Sequence, residues 1–150
     1  MKGANLAMER VEAEMNHWQQ APYATKTEVD ANLKRLVELA LDPALRGAVR
    51  IGLGSHNLFD IAWAATLAEC TDQTDRLEFE MLAGMAPAQA RAVREQLGTV
   101  RLYLPVAHRD ALDAGISYLA RRLDENAAPE NFPRNLLRIA PGNEAFAAEE

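Results

Sequence analysis

The sequence is short of cysteine, of basic charge and of long apolar runs, and each shortage excludes a class of protein. Cys70 is the only cysteine, so no internal disulfide can form and nothing requires an oxidising compartment. There are 16 Lys and Arg residues against 22 Asp and Glu, a net charge of −6, whereas a surface for nucleic acid or an anionic membrane normally carries the opposite balance. No apolar run approaches the roughly 20 residues of a membrane span, and no signal peptide precedes the first helical pattern. We therefore expect a cytoplasmic protein that binds no nucleic acid.

Common catalytic signatures are also missing. The chain contains no GxGxxG, P-loop or GxSxG motif. His17 and His108 have no partners at metal-ligand spacing, so we predict no metal site. Hydrophobic residues make up 49% and charged residues 25% of the chain, which is typical of a globular protein. A length of 150 residues allows one domain, but a complete (βα)8 barrel needs about 250 residues.

Hydrophobic periodicity predicts two helices followed by three strand–helix units. The first helix runs from Leu6 to Trp18, and the second opens with Thr27 as its capping residue. The strands fall at residues 48–54, 77–82 and 100–106, and the helices after them at 58–69, 87–97 and 109–126. Strands that alternate with helices at about 25–30 residues per unit imply an α/β fold with a parallel sheet. That spacing suits a barrel and a doubly wound sheet equally well.

The second and third strands carry charged and polar residues at alternate positions. Glu78 and Glu80 alternate with apolar residues in one strand, and Arg101 and Tyr103 in the next. Parallel strands that are buried on both faces normally read as continuous apolar runs, so these positions are unexpected. In a barrel they would face the lumen or its mouth. We find in them no specific pair for acid–base chemistry.

The turn after the first strand has the character of a phosphate site. Ser55, His56 and Asn57 follow Gly52 and Gly54 and precede a helix, whose free N–H groups and positive dipole end favour an anion. The alternative is a capping serine or asparagine beside an ordinary loop histidine. Residues Lys2-Gly3-Ala4 have the same character. They place a cation beside a backbone that can approach a ligand closely, ahead of a helix. Their alternative is an exposed N-terminal lysine.

The last long helix has a face suited to a small carboxylate. Tyr118, Arg121, Arg122 and Glu125 fall opposite an apolar stripe. Two adjacent arginines can form paired hydrogen bonds to a carboxylate, and Glu125 is close enough along the helix to orient either guanidinium. The alternative is a solvated polar face with ordinary ion pairs.

Five motifs in order give the chain its resemblance to a known family. They are KGANLAMER at 2–10, GSHN at 54–57, EFEMLAGM at 78–85, LYLPV at 102–106 and YLARRLDEN at 118–126. In this order they resemble proline dehydrogenase, and most of all the proline dehydrogenase module of the bifunctional bacterial proline-utilisation enzymes, which are proline dehydrogenase and L-glutamate γ-semialdehyde dehydrogenase in one chain. The resemblance extends across essentially all of the sequence.

The resemblance implies a distorted (βα)8 barrel that holds FAD and oxidises L-proline to 1-pyrroline-5-carboxylate, with electrons passing to a membrane quinone. Residues 1–140 are then the C-terminal portion of the FAD-binding barrel, and 141–150 a linker or tail. By the same resemblance Lys2, Gly3 and Ala4, at the end of the fifth strand, contact FAD. Ser55 and His56, after the sixth strand, contact it as well.

The substrate residues implied by the resemblance come from the end of the chain. Tyr103 on the eighth strand and Tyr118 on the last helix flank the proline ring. Arg121 and Arg122 hold the proline carboxylate. Glu125 is assigned to the cofactor-binding residues and supports the end of the site where the arginines lie. The resemblance assigns no catalytic residue to this chain.

The length suggests that this is a truncated part of such an enzyme. The first four strands are absent, with the lysine and aspartate that line the proline site in the family, and so is the aldehyde dehydrogenase domain that follows the barrel. We therefore expect the chain to be inactive alone, cytoplasmic, and peripheral to the inner membrane in the full enzyme. Two alternatives remain open: a small non-catalytic α/β protein whose Arg121 and Arg122 hold another carboxylate or a phosphate, and an inactive remnant.

Overall fold

The computed structural model describes residues 6–20, 23–127 and 132–147. The helices of these ranges are α1 (Leu6–Asn16), α2 (Lys26–Ala40), α3 (Leu58–Cys70), α4 (Pro87–Leu97), α5 (Leu112–Ala127), α6 (Phe132–Asn135) and α7 (Glu144–Ala147). The strands are β1 (Ile51–Gly54), β2 (Leu77–Leu82) and β3 (Val100–Tyr103). Single 3-10 turns lie at Pro43–Leu45, Thr74–Arg76, Arg109–Ala111 and Leu136–Arg138.

Internal contacts divide the chain into two compact units. One unit comprises the residues up to Ile51 together with Thr66–Leu77, and the other comprises Gly52–Ala65 together with the residues from Glu78 onward. The first unit is mainly helical, with Val29, Val37 and Leu41 buried in its core. The second unit holds nearly all of the sheet.

The first helix ends earlier than its apolar pattern indicates. We predicted that it reaches Trp18, but α1 ends at Asn16, so the prediction was wrong by two residues. His17 adopts a left-handed conformation with φ of 56°, and the backbone N–H of Trp18 donates to the carbonyl of Ala13 at 3.1 Å. This is a Schellman motif, which terminates a helix by satisfying its last carbonyls.

The second helix is capped by Thr25 and not by Thr27, which corrects the prediction. The Thr25 hydroxyl oxygen accepts from the backbone N–H of Glu28 at 3.3 Å, and the Glu28 carboxylate accepts from the backbone N–H of Thr25 at 3.1 Å. This reciprocal capping box needs a glutamate or glutamine three residues after the cap. Thr25 has Glu28 at that position, whereas Thr27 has Asp30, whose shorter side chain forms an ion pair with Lys26.

The three strands form a parallel sheet in the order β1-β2-β3, which confirms the predicted α/β fold. The β2–β3 register pairs Phe79 with Val100 and Leu82 with Tyr103. Helix α3 connects β1 to β2 and α4 connects β2 to β3, so strands adjacent in sequence are neighbours in the sheet. A barrel is built in this way.

The predicted bounds of β2 and α4 are confirmed, while β1 and β3 are shorter than predicted. β1 begins at Ile51 because the preceding residues follow a turn in which Gly47 has a φ of 86°. β3 ends at Tyr103, two residues before Pro105, which has no backbone N–H for a sheet hydrogen bond. Leu53, Phe79 and Met81 are buried and form the apolar face of the sheet.

The C-terminal residues add an aromatic cluster to the second unit. The ring of Phe59 on α3 lies edge-to-face against Phe146 at 5.0 Å between centroids and against Phe132 at 6.1 Å. Such contacts add about 0.5–1.5 kcal/mol beyond the buried area. Phe146 lies in α7, inside the segment 141–150 that we predicted to be a linker or tail. That assignment of the segment stays a prediction.

Arg76 organises the loops of the first unit. Its guanidinium is buried, with the residue 4% exposed, and donates to the backbone carbonyls of Val49 at 2.9 Å, Asp42 at 3.0 Å and Ala40. It also donates to the side-chain oxygen of Gln73 at 2.8 Å. A buried cation is stable only when its donors are satisfied, and here backbone carbonyls from three positions satisfy them.

We expect Arg76→Met to lower the free energy of unfolding by about 3 kcal/mol, because it leaves several buried carbonyls without donors. Arg46→Met is the matched control. The Arg46 side chain is 47% exposed and lies beside Asp72 and Asp75, so its loss should cost less than about 1 kcal/mol. Urea unfolding of both variants measures the difference. Equal losses would contradict the organising role of Arg76.

Candidate functional site

A row of polar side chains, which we call the polar ladder, lies on the face of the sheet opposite its apolar core. It consists of Glu78 and Glu80 from β2 and Arg101 and Tyr103 from β3. Arg101 donates to the two carboxylate oxygens of Glu78 at 2.8 and 2.9 Å, a paired geometry specific to arginine. The Tyr103 hydroxyl donates to Oε1 of Glu80 at 3.2 Å. The alternating residues noted in the sequence are therefore two cross-strand pairs.

β1 leaves space for the Glu80 carboxylate at Gly52. Gly52 has no side chain, and a Cβ built on it would collide with the carboxylate of Glu80. The Glu80 carboxylate therefore lies over the backbone of β1 while it accepts the hydrogen bond from Tyr103. Glycine at this position allows the close approach.

Hydrogen bonds, loss of hydration and charge shift the pKa values of Arg101 and Tyr103. Hydrogen bonding to Glu78, and then its charge, raise the pKa of Arg101 above its usual value. Loss of hydration raises the pKa of Tyr103, and the negative charge of Glu80 and the hydrogen bond to it raise it further. All three effects oppose formation of the phenolate. Tyr103 therefore stays a neutral donor.

Ser55 and Asn57 shape the turn between β1 and α3. The Ser55 hydroxyl, in a residue only 7% exposed, donates to Asp60 and accepts from the backbone N–H of Asn57, both at 3.1 Å. Asn57 Oδ1 accepts from the N–H of Phe59 at 2.9 Å and caps α3. These bonds hold the loop that carries His56.

His56 has one ring nitrogen in use and one without a partner. Its Nε2 accepts from the backbone N–H of Leu82 at 3.0 Å, at the end of β2. Its Nδ1 is buried and has no hydrogen-bond partner among the described residues. Since Nε2 is an acceptor, the neutral ring carries its proton on Nδ1, and burial lowers the pKa of His56 below the usual 6.5. His56 thus presents an unused N–H donor.

These groups meet at one edge of the sheet. The carboxyl ends of parallel strands lie at the same edge, which is where α/β proteins bind ligands. His56 follows β1, Leu82 ends β2 and Tyr103 ends β3. The backbone supports this: the N–H of Ser55 donates to the carbonyl of Glu80 at 3.3 Å, and that of Ala83 to the carbonyl of Tyr103 at 2.9 Å.

The arginines of α5 form a second group. The guanidinium carbon of Arg122 lies 5.1 Å from the centre of the Tyr118 ring, one helical turn away, within cation–π range. Arg121 is exposed beside them. The helix also carries exposed apolar side chains on its other side, namely Leu112, Ile116, Leu119 and Leu123.

Two sets of predicted site residues are not placed by the structure. Lys2, Gly3 and Ala4 lie outside the described residues, as does the side chain of Glu125. Their predicted roles therefore stay predictions. Sequence reasoning missed the pairing within the polar ladder and the unused nitrogen of His56. The signal for the ladder was present, since two polar residues at alternate positions recur in each of two adjacent strands.

The structure is that of a parallel α/β protein, with the candidate site at the carboxyl edge of its sheet. Residues 1–135 match the family described as proline dehydrogenase, and the chain belongs to that family. This confirms the resemblance that the motifs indicated. A comparison with curated proteins finds no match.

Two solved structures show the same fold. One is proline utilization A from Corynebacterium freiburgense, with 53% identity and a TM-score of 0.75 over 84% of this chain. The other is proline utilization A from Bdellovibrio bacteriovorus, inactivated by N-propargylglycine, with 30% identity and a TM-score of 0.82 over 100% of this chain. The chain spans only 13% and 15% of the lengths of these two proteins. The likeness supports the barrel-type α/β fold.

We expect His56 to titrate below 6.5 and to carry its neutral proton on Nδ1, because burial disfavours the imidazolium and Leu82 donates to Nε2. Imidazole nitrogen chemical shifts measured by NMR against pH report the pKa and the tautomer together. A pKa lowered by folding stabilises the protein above pH 6.5, and this contribution is lost as the pH falls through the folded-state pKa. A proton on Nε2, or a pKa at or above 6.5, would contradict the assignment.

Proposed function

We propose that the protein takes part in the FAD-dependent oxidation of L-proline to 1-pyrroline-5-carboxylate. The observation that carries the proposal is the unused, buried Nδ1 of His56 at the carboxyl edge of the sheet. A buried donor without a partner costs free energy unless a ligand accepts its hydrogen bond. Membership of the proline dehydrogenase family supports FAD and L-proline as the ligands.

The residues at this edge fit a flavin dinucleotide. FAD offers phosphate and carbonyl oxygens, and His56 supplies an N–H donor. The amino end of α3 follows directly and contributes the positive end of its dipole. Ser55 and Asn57 hold this loop by their hydrogen bonds within it. Ser55 would therefore contribute to cofactor binding by stabilising the turn that carries His56. Lys2, Gly3 and Ala4 remain part of the proposed cofactor site.

The helix α5 fits the substrate. Arg121 and Arg122 supply the donors for the proline carboxylate, and the Tyr118 ring orients the Arg122 guanidinium from one turn away. An arginine pair binds a carboxylate in a planar, directional way that lysine does not reproduce. Tyr118 and Tyr103 would contact the apolar carbons of the proline ring, and Glu125 would support the arginine end.

The chemistry divides between the cofactor and these side chains. Formation of the C=N bond of the product removes a hydride from the ring methylene carbon bonded to nitrogen and a proton from nitrogen. FAD, when bound, would supply the hydride acceptor. The chain's own residues bind and orient. The arginines fix the carboxylate, the tyrosines fix the ring, and a substrate held in one geometry reacts faster because its orientation is already set.

We also propose that these residues carry one part of the site and do not turn over proline by themselves. The part of the chain that the structure describes has three strands, whereas a closed barrel of this type has eight. In the complete enzyme, electrons would pass to a membrane quinone, and an aldehyde dehydrogenase domain would take the product onward. Such an enzyme would be cytoplasmic and peripheral to the inner membrane. Among the described residues, no helix is long and apolar enough to cross a bilayer.

For the purified chain with added FAD, we expect binding of L-proline without reduction of a dye acceptor. The missing strands account for the missing turnover, since positioning from both sides of the substrate contributes much of the rate. A dye-linked assay measures this directly. Sustained turnover would show that the described part suffices and would overturn the proposal that it is only part of the site.

We expect Arg121→Lys and Arg122→Lys each to weaken L-proline binding about tenfold, because lysine loses the paired hydrogen bonds. The matched control is Arg109→Lys, an exposed arginine just before α5. NMR titration of the arginine side-chain N–H signals measures the dissociation constants. Prolinamide, which lacks the carboxylate, should bind weakly to every variant. Equal binding of prolinamide and L-proline would favour a non-catalytic protein with a different ligand.

A further inference from the structure

We propose that Glu80 is a positioning residue that holds the Tyr103 hydroxyl, with its carboxylate seated over Gly52. The substrate side of this inference rests on the proposed function, which places the Tyr103 ring against the proline ring. The hydrogen bond itself does not depend on that function. The sequence alone assigns no role to Glu80, which is one of the alternating polar residues of β2.

The geometry joins all three strands through one carboxylate. Tyr103 ends β3 and is 46% exposed, so its ring would rotate among several positions if its hydroxyl were free. Leu82 is its register partner, and the side chain reaches back along β2 to Glu80, where the hydroxyl donates at 3.2 Å. One hydrogen bond at the tip of the ring restricts rotation about both side-chain torsions.

Gly52 makes this position of the Glu80 carboxylate possible. A Cβ on Gly52 would collide with the carboxylate, whereas a Cβ on Gly54 would meet no atom within 4 Å. Neither glycine has a positive φ, so alanine is compatible with both backbones. The chain thus offers two nearby glycines in one strand, of which only one should affect Glu80.

The other charges of the ladder leave Glu80 available for Tyr103. Glu78 lies two residues before Glu80 on the same strand, and Arg101 binds both of its oxygens. The Glu78 charge is therefore compensated by a guanidinium. Glu80 accepts from the phenol instead, which is a directional contact suited to fixing a ring.

The first test follows Tyr103 in the whole chain. The sequence has three tyrosines, so tyrosine labelled at its ring carbon bearing the hydroxyl gives three NMR signals, and Tyr103→Phe identifies the one of interest. We expect Glu80→Gln, Glu80→Ala and Gly52→Ala to increase the acid dissociation constant of Tyr103 at least about threefold, because a nearby negative charge is removed or displaced. Gly54→Ala should leave it unchanged.

The second test measures L-proline binding to the same variants with FAD present. We expect Glu80→Ala to weaken binding about two- to tenfold, the effect of losing one hydrogen bond. Glu80→Gln should restore most of the affinity, because its amide oxygen still accepts from the Tyr103 hydroxyl. A purely structural role would not separate the two variants in this way.

The outcomes distinguish this inference from the proposed function. If the acid dissociation constant of Tyr103 is the same in Glu80→Gln, Glu80→Ala and the parent chain, Glu80 does not hold the hydroxyl. This conclusion does not depend on whether L-proline binds. If Glu80→Ala binds L-proline as tightly as the parent, the inference is overturned as well. If no variant, including the parent, binds L-proline while Tyr103 responds as expected, the proposed function fails and the Glu80–Tyr103 contact stands.

Discussion

The in-register pairing of β2 with β3 is the constraint on which the rest of the site depends. Parallel pairing of Phe79 with Val100 fixes which side chains meet on each face of the sheet. One face becomes the apolar core of the second unit. The other brings Glu78 to Arg101 and Glu80 to Tyr103. A slip of one residue would turn each of these side chains to the opposite face. The register therefore determines both which side chains form the apolar core and which form the polar ladder.

The carboxyl edge of the same sheet explains how His56 becomes available. The N–H of Leu82, the last residue of β2, donates to Nε2 of His56. This leaves Nδ1 as the remaining donor in a buried position. The ring that satisfies the end of one strand is therefore held with its other nitrogen available for the flavin contact that we propose.

The sequence predicted the elements with strong local signals and missed what depends on distant partners. β2 and α4 were predicted to the residue because an apolar alternation and Pro87 at the first helical turn mark their limits. Arg121 and Arg122 stood out because they are adjacent on one helix. The pairing of Glu80 with Tyr103 depends on sheet register, and the unused nitrogen of His56 depends on a backbone N–H 26 residues away. Neither can be read from local periodicity.

Flavin binding at the carboxyl edge of the sheet is tested most directly by an absorbance titration of FAD with the purified chain. We expect a saturable shift of the flavin spectrum, with the affinity weakened about tenfold in His56→Ala because one hydrogen bond to a buried donor is lost. His108→Ala, at an exposed histidine next to Asp110, should bind FAD as the parent chain does. An unchanged affinity in His56→Ala, or no saturable change with the parent chain, would contradict the assignment of this edge of the sheet to the flavin.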